Sequence, residues 1–208
     1  VKASLEMLGF DSSLLDVLFI QFVSLKRGSE KVQMSTRSGE FEELSTVLEE
    51  VGADTARFFF LMRSPDTTLE FDLDLAKTQS NENPVFYVQY AYARTSSLFL
   101  QANEKGINVN EIDDSSLKLL DSDDDRKLFL SILEWTESLV LAVKEHEPHH
   151  IVFSLMSISK NFHGYYNQNR FLSEDKGITC ARLFLAKCVR GIIKEGLDLI
   201  GITAPEKM

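Results

Sequence analysis

The sequence lacks a long apolar run, so a membrane-spanning helix is not expected. Its longest apolar stretch, residues 17–23, is interrupted by Gln21 and is far shorter than the roughly 20 residues that cross a bilayer. A charged and then apolar leader is also missing, and nothing therefore indicates secretion. The chain begins at Val1 without an initiator Met, and we expect a fragment or a processed protein of the cytoplasm.

Cysteine and histidine are scarce, which limits disulfide and metal chemistry. The two cysteines, Cys180 and Cys188, lie more than about 10 Å apart along one predicted helix and cannot bridge each other. Three of the four histidines, His146, His149 and His150, cluster without a cysteine pair or a carboxylate triad. We expect reduced thiols, solvated histidines at a helix end and no metal site.

Basic residues are outnumbered by acidic ones, which argues against non-specific nucleic-acid binding. Lys and Arg total 22, Asp and Glu total 32, and the net charge is −10. The charge is uneven, because residues 111–125 hold seven acids and one Lys, whereas residues 160–200 hold seven basic residues and four acids. A local basic face is compatible with an acidic whole.

Two regions of the chain differ in pattern, and they predict two domains, residues 1–75 and 76–208. The first region mixes strand and helix signals: strands at 17–25 and 31–34, a helix at 44–51 ended by Gly52, and a helix capped by Asp54. The second region is helical throughout, with predicted helices at about 84–105, 126–146, 148–172 and 179–199. Together they predict a mainly α fold, in which a helical bundle follows the end of an α/β domain.

A short loop in the first region carries candidate chemistry. Met34, Ser35, Thr36 and Arg37 combine a hydroxyl pair with a cation and are followed by Ser38-Gly39. A mobile loop of this kind can close over a triphosphate and stabilise its developing charge. On the motif alone, however, an ordinary turn from a hairpin into a helix is favoured.

A stripe of large side chains on the helix after Pro84 is the second candidate. At 100° per residue, Tyr87, Tyr90 and Arg94 fall on one face, and phenols with a guanidinium suit the stacking of unpaired bases. Aromatic side chains at this spacing more often pack into a bundle core, with the arginine at its edge. Spacing alone favours the packing alternative.

Three segments, residues 31–39, 54–66 and 79–94, occur in an order that resembles the C-terminal half of class I arginyl-tRNA synthetases. The resemblance runs to the end of the chain at Met208. It implies that the end of a Rossmann-like catalytic domain precedes a DALR-type anticodon-binding domain. It further implies ATP-dependent joining of arginine to tRNA(Arg), with Mg²⁺ accompanying ATP, by a protein whose family is commonly monomeric.

The resemblance also implies roles for individual residues. Residues 34–37 stand in the ATP-handling loop, although Gln33 and Thr36 replace the lysines of its Lys-Met-Ser-Lys pattern, which leaves open what neutralises the pyrophosphate. Tyr87, Tyr90 and Arg94 match positions that contact anticodon bases. Tyr166 matches a tyrosine that borders the anticodon pocket, and Met208 matches a terminal methionine that packs near an anticodon base. Near Tyr166, we expect Phe162 and Tyr165 to fill the core and His163 to be a polar surface residue.

The last predicted helix carries a basic stripe of Lys187, Arg190 and Lys194. It is either a solvated face or a surface for tRNA phosphates.

The function that we expect is anticodon recognition by a fragment of arginine–tRNA ligase. Because the His-x-Gly-His signature of the nucleotide-binding half is absent from these residues, we expect the fragment alone not to aminoacylate. Two alternatives remain: the tail of another class I synthetase, cysteinyl or methionyl, and a non-catalytic helical module that binds a protein partner. The acidic surface, the abundant aromatics and the lack of a self-contained active site support the second of these.

Overall fold

The computed structural model describes residues 1–32 and 42–208, in which the chain forms eight α-helices and three short strands. The helices are α1 (Lys2–Met7), α2 (Leu44–Val51), α3 (Ala53–Leu61), α4 (Leu73–Lys77), α5 (Pro84–Glu104), α6 (Asp123–Lys144), α7 (His149–Gln168) and α8 (Lys176–Leu199). The strands are β1 (Val23–Arg27), β2 (Glu30–Lys31) and β3 (Leu69–Asp72). This mainly helical architecture with a small sheet confirms the predicted fold class.

The three strands form one sheet in the order β2-β1-β3. β1 pairs with β2 as an antiparallel hairpin and with β3 in parallel, where Leu25 lies opposite Phe71. The predicted strand at 17–25 is wrong for residues 17–22 and right for residues 23–25, because the parallel ladder begins only at the pair of Val23 with Leu69. Before Val23, the Gln21 amide donates to the Pro65 carbonyl at 2.9 Å, but one such bond does not make a strand ladder.

A small hydrophobic core lies between this sheet and helices α2 to α4. Its buried members are Leu25, Val47, Val51, Ala56, Phe59, Leu69, Phe71, Leu73 and Ala76. α2 ends at Gly52 as predicted, with a φ of 82°. Asp54 was predicted to be the N-cap of α3, and this prediction is wrong, because Gly52 occupies that position. The Asp54 carboxylate instead accepts a hydrogen bond from the Thr203 amide at 3.0 Å.

A larger core lies inside the bundle of α5, α6, α7 and α8. Asn83 caps α5 ahead of Pro84, as predicted. α6 begins at Asp123, earlier than expected, because Ser122 and Asp125 form a reciprocal capping box. Among the described helices, none has both the length and the apolar character of a membrane span.

Helix α3 belongs to both cores. Phe58 is buried in the bundle core, whereas its neighbour Phe59 is buried in the small core. Successive helical positions point about 100° apart, so one helix can serve two cores. The Arg57 guanidinium also donates to the Gly201 carbonyl. This bond fastens the C-terminal segment, residues 200–208, to α3.

Candidate nucleic-acid interface

Packing of α5 against α7 brings four of the predicted site residues into one cluster. Tyr87, Tyr90 and Arg94 project from α5, and Tyr166 projects from α7. All four are half-buried, so their rings and the guanidinium are part of the molecular surface. These side chains are therefore only partly packed into the bundle core, which was the alternative to a binding surface.

Arg94 lies at the centre of the cluster. Its guanidinium carbon is 4.8 Å from the ring centroid of Tyr90 and 4.6 Å from that of Tyr166. Its Nη2 also donates to the Tyr90 hydroxyl at 3.1 Å. A cation over a phenol face gains about 0.5–2 kcal/mol, so these contacts hold the guanidinium in a defined place.

His163 is also a member of the cluster, and the expectation that it is a surface residue is wrong. It is only 6% exposed, with Nε2 3.1 Å from the Tyr87 carbonyl oxygen and Nδ1 3.2 Å from Arg94 Nη1. Asn167 Oδ1 lies 3.4 Å from the same Nη1. Residues i, i+3 and i+4 share a helix face, and this spacing of His163, Tyr166 and Asn167 is the sequence signal that could have identified them.

The surroundings of the cluster favour neutral rings around a charged arginine. Burial lowers the pKa of His163, and Arg94 lowers it further, while the hydrogen bond to the Tyr87 carbonyl opposes both effects. Burial also raises the pKa of the Tyr87 phenol, against the influence of Arg94. At neutral pH, therefore, Arg94 carries the positive charge of this cluster, and His163 and Tyr87 are uncharged.

Met208 lies next to the cluster rather than within it. The side chain is 52% exposed and lines a cavity of 610 Å³ together with Phe86 and Gln89 of α5. Phe86 in turn stacks on Tyr90, with ring centroids 6.2 Å apart and planes 18° apart. The Phe86 ring thus lies between Met208 and the Tyr90 phenol.

Beneath the cluster, Phe162 and Tyr165 are buried, as predicted. The Tyr165 hydroxyl donates to Asp125 Oδ1 at 2.6 Å, and burial raises the pKa of this phenol. Burial would raise the pKa of Asp125, but hydrogen bonds from Ser122 and Tyr165 outweigh it and hold that pKa below its ordinary value. Asp125 is therefore an ionised carboxylate inside the protein, held by both helices.

The predicted basic stripe on α8 is not a set of free cations. Arg190 stacks over the Tyr92 ring at 4.2 Å and donates to Glu206 at 2.7 Å. Lys194 pairs with Asp198 one turn further along. Arg190 is thus a packing residue that fixes the C-terminal segment, a role that neither sequence interpretation anticipated.

Of the three histidines at the α6–α7 turn, His146 is exposed as expected, whereas His149 and His150 are not fully solvated. His149 is buried, and Glu147 Oε2 lies 3.2 Å from His150 Nε2 and 3.7 Å from His149 Nε2. Three potential ligand atoms are thus within 4.8 Å of one another. Two of them belong to the first turn of α7, where the helix dipole disfavours a cation, and a hydrogen bond from His150 to Glu147 accounts for the short contact.

The predicted ATP-handling loop, Met34, Ser35, Thr36 and Arg37, lies outside the described residues.

Phenols and a guanidinium on one surface of a helical bundle are groups on which unpaired bases can stack. Residues 88–208 match the profile of the DALR anticodon binding domain, so the chain belongs to that family.

Relatives and solved structures agree with this assignment. The chain is 46% identical over 210 residues to the arginine–tRNA ligase of Desulfosudis oleivorans and 44% identical over 208 residues to that of Syntrophotalea carbinolica. Each alignment covers 100% of the chain but 38% of the relative, so the chain spans well under half the length of these curated relatives.

The fold is similar to a protein of Campylobacter jejuni provisionally named arginyl-tRNA synthetase, with a TM-score of 0.83 and 32% identity over 100% of this chain and 44% of that one. The arginyl-tRNA synthetase of Thermus thermophilus aligns with a TM-score of 0.64 and 25% identity over 83% of this chain and 29% of that one. The resemblance inferred from sequence is confirmed.

Proposed function

We propose that this chain is the C-terminal part of an arginine–tRNA ligase and that its bundle recognises the anticodon of tRNA(Arg). The observation that carries the proposal is the half-buried cluster of Tyr87, Tyr90, Arg94 and Tyr166 on the domain that matches the anticodon-binding family. The whole-chain similarity to arginine–tRNA ligases supports the choice of tRNA over the cysteinyl and methionyl alternatives.

The chemistry of the cluster fits single-stranded bases. Bases splayed out of an anticodon loop stack on aromatic rings and accept hydrogen bonds at their edges. Tyr87 and Tyr166 provide phenol surface, and Arg94 provides donors from a fixed guanidinium. We propose that Met208 covers a base from the side of the Phe86 cavity. A net charge of −10 disfavours non-specific binding to phosphates, so the phosphate contacts must be local ones, and the base contacts supply the specificity.

We propose that residues 1–75 belong to the catalytic domain and residues 76–208 to the anticodon-binding domain of a longer, monomeric cytoplasmic enzyme. The two hydrophobic cores support this division, with α3 at the junction. In that enzyme, Met34, Ser35, Thr36 and Arg37 close over ATP, which carries Mg²⁺, during activation of arginine. The 208 residues alone are expected to show no aminoacylation.

Binding of a labelled tRNA(Arg) anticodon stem-loop, measured by fluorescence anisotropy, tests the proposal. Tyr90→Ala is expected to weaken binding by about 1–3 kcal/mol if Tyr90 stacks a base. Tyr90→Phe keeps the ring but loses the hydroxyl that Arg94 contacts, and a smaller loss is expected. Phe153→Ala is the matched control, because Phe153 is an exposed aromatic on α7 outside the cluster.

Salt dependence separates this proposal from a protein-binding module. Phosphate contacts give a steep fall of log affinity with log salt, whereas apolar protein pairing does not. A stem-loop affinity that is unchanged by Tyr90→Ala, with the fold intact by circular dichroism, would argue against anticodon recognition by this surface.

A further inference from the structure

The position of His163 carries an inference that rests on the proposed function and deepens it. The ring is enclosed between two phenols of α5, with its centroid 4.6 Å from that of Tyr87 and 5.4 Å from that of Tyr90. Each ring nitrogen faces a partner that can only donate or can only accept a hydrogen bond. Nε2 faces the Tyr87 carbonyl oxygen at 3.1 Å, and Nδ1 faces Arg94 Nη1 at 3.2 Å.

These partners determine both the tautomer and the charge of His163. A carbonyl oxygen can only accept and a guanidinium can only donate, so Nε2 must carry the hydrogen and Nδ1 must offer its lone pair. That arrangement exists only in the neutral imidazole. A second proton would place an N–H on Nδ1 against the N–H groups of Arg94, with two positive charges about 3 Å apart.

The donors of Arg94 show why this arrangement affects recognition. Nη1 donates to His163 and lies near Asn167, and Nη2 donates once to Tyr90. Within residues 1–32 and 42–208, the Nε–H and the second Nη2 hydrogen make no hydrogen bond, so they are donors that Arg94 can offer to a base. The orientation of these donors is therefore set by His163, Asn167 and Tyr90, which contact the other donors of the guanidinium.

We propose that His163 is a positioning residue of the anticodon surface: as a neutral Nε2–H imidazole it fixes Arg94 for base contact, and its protonation releases Arg94 and disables binding. Arg94 is the charged group that faces the ring from α5, and the phenols of Tyr87 and Tyr90 face it from the same helix. From its own helix, Asn167 shares the Arg94 contact.

The surroundings of His163 lower its pKa, so its protonation occurs at a lower pH than that of an ordinary histidine. Burial and Arg94 lower the pKa of His163, against the pull of the Tyr87 carbonyl, so the ring stays neutral at physiological pH. Binding should thus be constant near neutrality and fall only when the pH drops below the ordinary histidine pKa of about 6.5.

Two variants separate a positioning role from a merely structural one. His163→Gln keeps a donor and an acceptor but cannot titrate, and it is expected to bind the anticodon stem-loop within about threefold of wild type at neutral pH while losing the acid branch of the profile. His163→Leu leaves Arg94 and the Tyr87 carbonyl without their partner, and it is expected to bind about tenfold more weakly at all pH values.

His150→Gln is the matched control, because His150 is a histidine of the same helix that contacts Glu147 outside the cluster. Its pH profile should equal that of wild type. The proposal is overturned if His163→Gln keeps the wild-type acid branch, or if His163→Leu binds as wild type does.

A second measurement on the free protein makes failure of this inference distinguishable from failure of the proposed function. Nitrogen chemical shifts of His163 by NMR should report the Nε2–H tautomer at neutral pH, and Arg94→Met should raise the His163 pKa by removing the neighbouring charge. The opposite tautomer overturns the positioning role. If the tautomer is as expected but wild type binds no stem-loop at any pH, the anticodon function itself is refuted, and the role of His163 in it is refuted too.

Discussion

The guanidinium carbon of Arg94 lies 4.6 Å from the ring centroid of Tyr166, and this contact joins α5 to α7 across the candidate surface. Tyr166 also packs against Phe162 and Phe171, with ring centroids 6.0 and 5.3 Å away. Tyr166→Ala removes all three contacts and is expected to lower the free energy of unfolding by about 0.5–3 kcal/mol. Tyr166→Phe keeps the ring and should stay close to wild type. Equal urea midpoints for the two variants would contradict this role of the ring.

The hydrogen bond from Tyr165 to Asp125 predicts a pH-dependent contribution to stability. The bond is buried and involves a carboxylate, so Tyr165→Phe should lower the free energy of unfolding by about 1.5–3 kcal/mol. The pKa of Asp125 is depressed in the folded protein, so the unfolded state binds more protons at acid pH. The contribution is full above the ordinary Asp pKa of about 3.9 and is lost as the pH falls through the lower folded value.

Urea unfolding of wild type and Tyr165→Phe at several pH values measures this effect. The difference between the two should shrink as the pH falls below about 4. Tyr166→Phe is the control, because it removes a neighbouring phenol hydroxyl on the same helix but leaves Asp125 untouched. A difference that is independent of pH would show that Asp125 is not the acceptor.

Two glycines of α8 should respond in opposite directions to the same substitution. A Cβ at Gly191 would meet nothing within 4 Å, so Gly191→Ala should stabilise the helix by about 0.5–1 kcal/mol. A Cβ at Gly196 would lie 2.7 Å from Leu155 and 2.9 Å from Trp135, so Gly196→Ala should destabilise by about 1–3 kcal/mol through overpacking. Thermal unfolding compares the pair. The same sign for both would contradict the close packing of α8 on α6 and α7.

Two cations on adjacent turns of α8 should differ in their importance for stability. Arg190 stacks on Tyr92, pairs with Glu206 and donates to the Ser96 hydroxyl, so Arg190→Gln should lower the free energy of unfolding by about 1–3 kcal/mol. Lys194→Gln removes an exposed pair with Asp198 and should change it by less than about 0.5 kcal/mol. Chemical denaturation measures both, and equal losses would show that Arg190 does not anchor the C-terminal segment.

Local signals along the chain predicted the long helices of the bundle but neither α1 nor α4. The Asn83-Pro84 pair predicted the start of α5, and Gly52 predicted the end of α2, because caps and turn glycines act on the backbone of their immediate neighbours. The 100° periodicity likewise predicted that Tyr87, Tyr90 and Arg94 share a face. The resemblance then added Tyr166, which the fold brings to that face.

Other features depended on segments that are far apart in sequence. β3 pairs with β1 across more than 40 positions, and its partner decides where the strand begins. His163 is buried because α7 packs on α5, and its hydrogen bond to Tyr87 spans 76 positions. Asp54 has a local preference for capping, but the Thr203 amide, 149 positions away, takes its carboxylate instead.

The long helices, the polarity of their faces and the family of the chain are encoded in residues a few positions apart or in their order, so they can be read from the sequence. The face of α7 that meets the stripe on α5, and with it the contact between His163 and Arg94, comes from the packing of the two helices. Burial and hydrogen-bond partners are properties of the packed pair, and neither helix alone specifies them.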